Sequence, residues 1–134
     1  ALVLAQHVRA PVWMEGRGER VRVAEASACP PFPFLVLAHP GVASATAEVY
    51  ARCVPRTAPA TGAVNDLQAA ACALHPEIAF ALAALVAAGA HEVRMSGSGS
   101  SVFGFAEDEP SAQALAARLR AVGCTAWVTG YVGA

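Results

Sequence analysis

The sequence contains no lysine. All nine of its basic residues are arginine, so a mechanism that needs a lysine side chain must take it from another segment or subunit. Charged residues make up 14% of the 134 residues, and the formal net charge is −1. Proteins that bind nucleic acid or anionic membranes carry a basic surface. This composition gives no such surface, and we expect neither kind of partner.

Long apolar runs and metal-ligand spacings are also missing. The longest nearly uncharged run, residues 78–90, is too short to span a bilayer. The first five residues lack the basic start of a signal peptide. The four cysteines show no CxxC spacing and no histidine at metal-site spacing. We therefore predict a cytoplasmic protein with free thiols and no metal site; a disulfide pair in an extracellular domain is the alternative.

Apolar residues make up 56% of the chain, enough for the core of one domain. Their periodicity predicts strands at 2–4, 11–14 and 20–23, a central strand at 34–38, a helix at about 46–53, two helices that meet at Pro76 and end at Gly89, a hairpin with strands at 92–95 and 102–105, a helix from Asp108 or Glu109 to Gly123, and a strand at 125–132. This order predicts an α+β fold, a ferredoxin-like split βαβ sandwich with an N-terminal β-hairpin extension.

Short polar residues at the predicted helix starts are expected to act as N-caps, because their side-chain oxygens accept backbone N–H groups. Ser44 or Thr46 is predicted to cap the helix at 46–53. Asn65-Asp66 is predicted to cap the helix that follows. Capping is also the expected role of Asp108. These assignments leave no aspartate for a Ser-His-Asp arrangement.

Six consecutive residues, 96–101, are only serine and glycine and lie between two strand-like runs. They predict a β-hairpin with a small tip, in which Gly97 and Gly99 can adopt positive φ. Such a loop can hold a phosphate with backbone N–H groups, or it can be a plain turn. It matches neither GxxxxGK[ST] nor a GxGxxG that opens a helix. A complete nucleoside-triphosphate site on this chain alone is therefore not predicted.

Trp13 precedes a glycine-containing turn, where a large aromatic ring could stack on a base or fill the core. Two glutamates, Glu15 and Glu19, flank the same turn and are expected to be solvated. His39 and His75 each precede a proline at an element boundary, where a structural role is the expectation. The residues taken one by one thus leave a binding role for Trp13 open.

Four separated motifs, taken in order, resemble a known family. They are Trp-Met-Glu-Gly-Arg-Gly-Glu at 13–19, His-Pro-Gly-Val with Ser-Ala-Thr-Ala-Glu-Val-Tyr at 39–50, Asn-Asp-Leu at 65–67, and Met-Ser-Gly-Ser-Gly-Ser-Ser-Val-Phe at 95–103. Together they resemble the C-terminal half of the 4-diphosphocytidyl-2-C-methyl-D-erythritol kinases, which belong to the GHMP small-molecule kinase superfamily.

This resemblance implies ATP-dependent phosphorylation of the 2-hydroxyl of diphosphocytidyl-methylerythritol, in the non-mevalonate route to isoprenoids. It implies an active site between two halves, with the catalytic Lys and Asp and the ATP loop on an N-terminal GHMP domain in cis. Residues 1–33 would then be interdomain strands and connector, and residues 34–134 the substrate-binding domain. ATP and Mg²⁺ would act in the full enzyme, and this chain alone is expected to bind neither and to be inactive.

The same resemblance implies a substrate-binding set on this chain. Trp13 matches an aromatic that stacks on cytosine, and the loop matches a substrate-facing motif at Ser96, Gly97, Ser98, Gly99 and Ser100. Asn65 matches an asparagine for which a helix cap remains the first expectation. Two alternatives stay open: a stand-alone ferredoxin-like ligand-binding or regulatory module, and the same half of another GHMP kinase.

Overall fold

The computed structural model describes residues 12–15, 19–25, 30–54 and 65–130. These residues form six strands and four helices: β1 (Val12–Glu15), β2 (Arg20–Val23), β3 (Phe34–His39), α1 (Thr46–Arg52), α2 (Gln68–Leu74), α3 (Pro76–Ala87), β4 (His91–Met95), β5 (Val102–Ala106), α4 (Glu109–Ala121) and β6 (Thr125–Gly130).

Four of the strands form one antiparallel sheet in the order β4–β5–β3–β6. The apolar strand β3 is central, as its continuous apolar run predicts, and Val36 lies opposite Gly104 on one side and Val128 on the other. The chain runs from β3 through α1–α3 to β4 and β5, then through α4 to β6. This is the split βαβ order, so the predicted ferredoxin-like α+β fold is confirmed.

The core lies between this sheet and helices α3 and α4. Val36 and Ala38 of β3 are fully buried, as are Ile78 and Leu85 of α3 and Leu119 of α4. Burying one such branched side chain stabilises a fold by about 1.5 to 3 kcal/mol. Val36 and Ala38 are alternate residues of β3, so both lie on the sheet face that meets the helices.

A separate two-stranded sheet joins β1 and β2, with Trp13 opposite Arg22. A β-hairpin is therefore present, and it is formed by the strands predicted at 11–14 and 20–23. The strand expected at 2–4 lies outside the described residues. Only the short stretch 16–19 separates the two paired strands, so bringing them together costs little entropy.

Helix ends match the predictions in part. Asp108 caps α4 as expected, since its Oδ1 accepts from the Ser111 N–H at 2.7 Å. Hydrogen bonds from the side chain and backbone of Ser111 lower the pKa of Asp108. Gly89 and Gly123 follow the last turns of α3 and α4 with φ of +86° and +89°, the left-handed ending that glycine favours. The last strand ends at Gly130, and residues 131–134 lie outside the described part.

The side-chain cap predicted for α1 is wrong, because its N-cap is Ala45 and no side chain caps the helix. Helix α2 begins at Gln68, three residues after the predicted cap Asn65, and Leu67 before it already has helical backbone angles. The polar side chains expected there make other hydrogen bonds, given below. Residues 54–62, in which Pro55 and Pro59 predict a loop, fall mostly outside the described residues.

Among the described residues, no single helix is long and apolar enough to cross a bilayer. Helices α2 and α3 reach that length and composition only as a pair, bent by 119° between them.

Candidate functional site

The Ser/Gly segment is the tip that joins β4 to β5. The Ser96 N–H donates to the Ser101 carbonyl at 2.9 Å, and the Gly99 N–H donates to the Ser96 carbonyl at 3.0 Å. Gly97 and Gly99 have φ of +56° and +87°, as expected. The tip is therefore a hydrogen-bonded turn, and glycine readily adopts the positive φ found at its two glycine positions.

At Gly99 there is also no room for a side chain. A Cβ atom there would lie 2.9 Å from Met95 Sδ and 3.3 Å from Ile78 Cδ1, whereas one on Gly97 would meet nothing within 4 Å. Met95 and Ile78 are both buried in the core. The loop backbone is thus packed directly on the core at Gly99.

Asn65 ties the loop to the start of α2. Its Nδ2 donates to the carbonyls of Met95 (2.9 Å) and Gly97 (2.8 Å), while its Oδ1 accepts from the Leu67 N–H at 3.0 Å. The Oδ1 bond reaches the N–H two residues along the chain, as an N-cap side chain does, although α2 itself begins at Gln68. Asn65 therefore makes the local bond expected of a cap and also bridges to the loop.

Gln68 was not singled out from the sequence, and its Oε1 accepts from the Met95 N–H at 2.9 Å. Because β4 is an edge strand, the N–H and carbonyl of Met95 face away from β5 and need other partners. Asn65 and Gln68 supply both. The sequence did contain a signal for this pair. Asn65 and Gln68 are amide residues three positions apart near a helix start, and residues at that spacing project to the same side.

The hydroxyls expected to cap α1 reach the loop instead. Ser44 Oγ donates to the Ser98 carbonyl at 3.0 Å, and Thr46 Oγ1 lies 2.9 Å from Ser98 Oγ. A hydroxyl can hydrogen-bond either a local backbone N–H or a distant group, and here both hydroxyls bond the distant residue Ser98. The capping prediction fails for this reason.

His39 and Ser100 form a third link. The Gly41 N–H donates to His39 Nδ1 at 3.0 Å, and His39 Nε2 lies 3.1 Å from Ser100 Oγ. The Ser100 hydroxyl also donates to the Val42 carbonyl. An Nδ1 that accepts a hydrogen bond carries no proton, so the network assigns the Nε2–H tautomer to a neutral His39.

Ser100 is 5% exposed. Its hydroxyl therefore holds the loop together, and any contact of Ser100 with a substrate would come from its backbone.

These links orient the peptide groups of the loop. Five carbonyls accept hydrogen bonds within the protein. Those of Met95, Gly97 and Ser98 accept from side chains outside the loop, and those of Ser96 and Ser101 accept from N–H groups of the loop itself. In the described part of the chain, no hydrogen bond from the N–H groups of Gly97, Ser98 or Ser100 is found. Inward carbonyls and unused N–H groups favour an anion or a hydroxyl oxygen as ligand.

Trp13 stands apart from this cluster, on β1. Its ring is 44% exposed, and the Arg22 guanidinium lies 5.6 Å from the ring centre. No hydrogen bond or ring contact within the described ranges joins Trp13 to the Ser/Gly loop. Glu15 and Glu19 make exposed pairs with Arg22 and Arg20 at 4.0 Å, as expected for a solvated turn. The binding residues suggested by the resemblance thus fall into two groups.

The described residues offer little support for a cysteine nucleophile or for a metal site. Burial raises the pKa of the Cys72 and Cys124 thiols, which keeps them protonated and weakly nucleophilic. No group of three or more His, Cys, Asp or Glu side chains gathers in the part of the chain that is described. Those residues do not fit a divalent cation, and we derive no step through one.

Comparison with known proteins decides the family. The sequence model of a family described as GHMP kinases C terminal matches residues 57–123, half of the chain. The chain belongs to this family.

Two sequence relatives share one name. This chain is 37% identical to the 4-diphosphocytidyl-2-C-methyl-D-erythritol kinase of Cereibacter sphaeroides, over 96% of this chain and 55% of the relative. It is 36% identical to the kinase of that name from Moorella thermoacetica, over 78% of this chain and 44% of the relative. The chain therefore spans about half the length of the curated relatives it matches.

Solved structures agree on the fold. A crystal structure of 4-(cytidine 5'-diphospho)-2C-methyl-D-erythritol kinase matches 96% of this chain and 52% of that protein, with a TM-score of 0.80 and 29% identity. Homoserine kinase from Cytophaga hutchinsonii matches with a TM-score of 0.60 at 18% identity, which supports the fold alone. The resemblance found from the four motifs is confirmed.

Proposed function

We propose that this chain is the substrate-binding half of a kinase that transfers a phosphoryl group from ATP to the 2-hydroxyl of 4-diphosphocytidyl-2-C-methyl-D-erythritol, and that it is inactive alone. The observation that carries the proposal is the orientation of the Ser/Gly loop, whose carbonyls are bonded inward and whose N–H groups at Gly97 and Ser98 have no partner among the described residues. The family, and the name shared by its relatives, support the choice of substrate.

Phosphoryl transfer depends on positioning and charge stabilisation more than on covalent chemistry from the protein. A loop that offers N–H groups can hold a phosphate or hydroxyl oxygen without adding a side-chain charge. Each hydrogen bond to a charged oxygen contributes about 1.5 to 3 kcal/mol. Because the loop is already held by Asn65, Ser44 and His39, substrate binding would not have to order it.

Trp13 is proposed to stack on the cytosine. Stacking of a base on an aromatic side chain contributes about 1 to 3 kcal/mol. Arg22 lies over the Trp13 ring, so the base would take the opposite face of the ring or displace the guanidinium. Substrate binding would then bring together the two groups of residues that are separate in this chain.

The remaining functions belong to an N-terminal GHMP domain in the same polypeptide. This chain has no lysine, and its described part has no metal-binding cluster. ATP and Mg²⁺ would supply the phosphoryl group and its charge compensation on that domain. Residues 34–134 would form the substrate domain, residues 1–33 the connection to it, and the enzyme would be cytoplasmic.

Calorimetry on this chain tests the proposal. Cytidine 5′-diphosphate should bind, and inorganic pyrophosphate, which lacks the base, should bind at least roughly fivefold more weakly, because stacking on Trp13 contributes about 1 to 3 kcal/mol. ATP should not be consumed by the chain alone. Equal binding of both ligands would exclude stacking on Trp13 and favour a stand-alone regulatory module, and unaided ATP turnover would overturn the half-site assignment.

A further inference from the structure

The His-Pro-Gly turn at 39–41 brings an ionisable side chain into the network that holds the Ser/Gly loop. The turn follows β3, and it places the half-buried imidazole of His39 between two partners. The Gly41 N–H donates to Nδ1 at 3.0 Å, and Nε2 lies 3.1 Å from Ser100 Oγ, which is 61 residues away in the sequence. Gly41 has a φ of +83°, a conformation that glycine adopts readily. One imidazole thus connects the end of β3 to the loop.

The two partners of this imidazole require the same neutral form. The Gly41 N–H can donate to Nδ1 only if Nδ1 carries no proton. The single proton of the Ser100 hydroxyl is used on the Val42 carbonyl. Ser100 Oγ therefore accepts from His39, whose proton lies on Nε2. The network is complete when His39 is neutral and carries its proton on Nε2.

A second proton on His39 would break this network. It would lie on Nδ1 and point at the Gly41 N–H, so that two donors would face each other at 3.0 Å with no acceptor between them. The ring would have to turn away from this contact, and its bond to Ser100 Oγ would then be lost as well. Ser100 is buried, and removing the partner of a buried polar group is unfavourable. The loop would keep its other links but lose the one to β3.

The charges around the turn do not compensate for this loss. None of the ion pairs found among the described residues includes His39. Glu77, at the start of α3, lines a groove together with Pro40. It is exposed, so water and salt screen its charge. Cys124 precedes Thr125, the β6 residue opposite His39, and burial raises the pKa of its thiol, which keeps it uncharged.

We propose that the protonation state of His39 controls anion binding at the Ser/Gly loop. Neutral His39 holds the loop N–H groups in place for the anion, and protonated His39 releases them. The inference rests on the proposed function, because it concerns the same loop and the same anionic group of the substrate. An imidazole that touched the anion would act in the opposite sense, since its positive charge would strengthen binding as the pH falls. His39 is instead a positioning residue, because Gly41 and Ser100 occupy both of its ring nitrogens.

NMR titration of the Gly97 and Ser98 amides with sulfate tests the proposal. Sulfate keeps its charge over the range in which histidines titrate, about pH 5 to 8, whereas a phosphate monoester changes its charge near about pH 6. The Kd of this chain for sulfate should rise about fivefold between about pH 7.5 and about pH 5.5, the ratio that corresponds to one lost hydrogen bond.

Two variants separate the hydrogen bonds of His39 from its charge. His39→Gln keeps an amide N–H donor for Ser100 and cannot be protonated, so its Kd should stay within about twofold of the neutral wild type at both pH values. His39→Ala removes both bonds and should bind sulfate about fivefold more weakly at both pH values. The matched control is His91→Gln, since His91 stacks on Phe32 at the end of β4 that lies away from the loop. This control should keep the pH dependence of the wild type.

Other outcomes count against the inference. Tighter binding of sulfate at the lower pH, or an equal Kd at both pH values, would overturn it and leave the proposed function in place. A pH dependence that persists in His39→Gln would assign the effect to another group and overturn it as well. Loop amides that do not shift with sulfate at either pH would remove the anion site, and with it the observation that carries the proposed function.

Discussion

The Ser/Gly loop and the β1–β2 hairpin are both proposed to contact one substrate, yet they are held in opposite ways. Hydrogen bonds from His39, Ser44 and Asn65 reach the loop from three separate segments of the chain. Trp13 is held by its strand pairing and by Arg22, whose ion pairs are exposed. Exposed ion pairs contribute little. One side of the proposed site is therefore held by side chains from outside the loop, and the other is held by contacts within its own hairpin.

Among the variants that test this contrast, Gly99→Ala should lower the free energy of unfolding the most. It combines a left-handed backbone with a Cβ atom 2.9 Å from Met95 Sδ, and we expect a loss of about 2 to 4 kcal/mol in unfolding free energy. Gly123→Ala is the matched control, since its φ of +89° is nearly the same and nothing lies within 4 Å of the added Cβ. The control should lose about 1 to 2 kcal/mol. Equal losses in urea unfolding would show that the loop is not packed on the core.

Asn65→Ala should come next. It removes both bonds to the loop carbonyls and the acceptor of the Leu67 N–H, for a loss of about 2 kcal/mol. Hydrogen exchange of the loop amides should accelerate. Gln68→Ala, which removes a single bond to Met95, should cost about 1 kcal/mol. If Gln68→Ala were the more damaging of the two, Asn65 would not be the main bridge.

Arg22→Ala should have the smallest effect on stability, about 0.5 kcal/mol or less, because its ion pairs are exposed. It should nevertheless change the fluorescence of Trp13, over whose ring the guanidinium lies. Arg118→Ala on α4 is a suitable control and should leave that signal unchanged. A loss of stability as large as that of Asn65→Ala would contradict the contrast between the loop and the hairpin.

The helices and strands could be predicted because each is encoded by residues that are close together in the sequence. The continuous apolar run of β3 predicted a central strand, and the alternating runs around residues 96–101 predicted the hairpin that carries the loop. Asp108 was predicted correctly since its partner, the Ser111 N–H, is three residues away.

The contacts of the site were harder to predict because their partners are distant in sequence. Thr46 and Ser98 are 52 residues apart, and Asn65 and Gly97 are 32 apart. Ser44, Thr46 and Asn65 have the same hydrogen-bonding groups whether they cap a helix or hold a loop, so residue type could not choose between the two. The sheet order brings the ends of β3, β4 and β5 together, and this proximity decides that these side chains hold the loop.

The central claim is that the loop presents preorganised N–H groups to an anionic substrate. The most direct measurement is an NMR titration of the amide resonances of this chain with cytidine 5′-diphosphate. We expect saturable shifts that are largest at Gly97 and Ser98, no shift at Gly123, and loss of these shifts in Gly99→Ala. Shifts confined to other parts of the chain, with the loop amides unmoved at saturation, would contradict it.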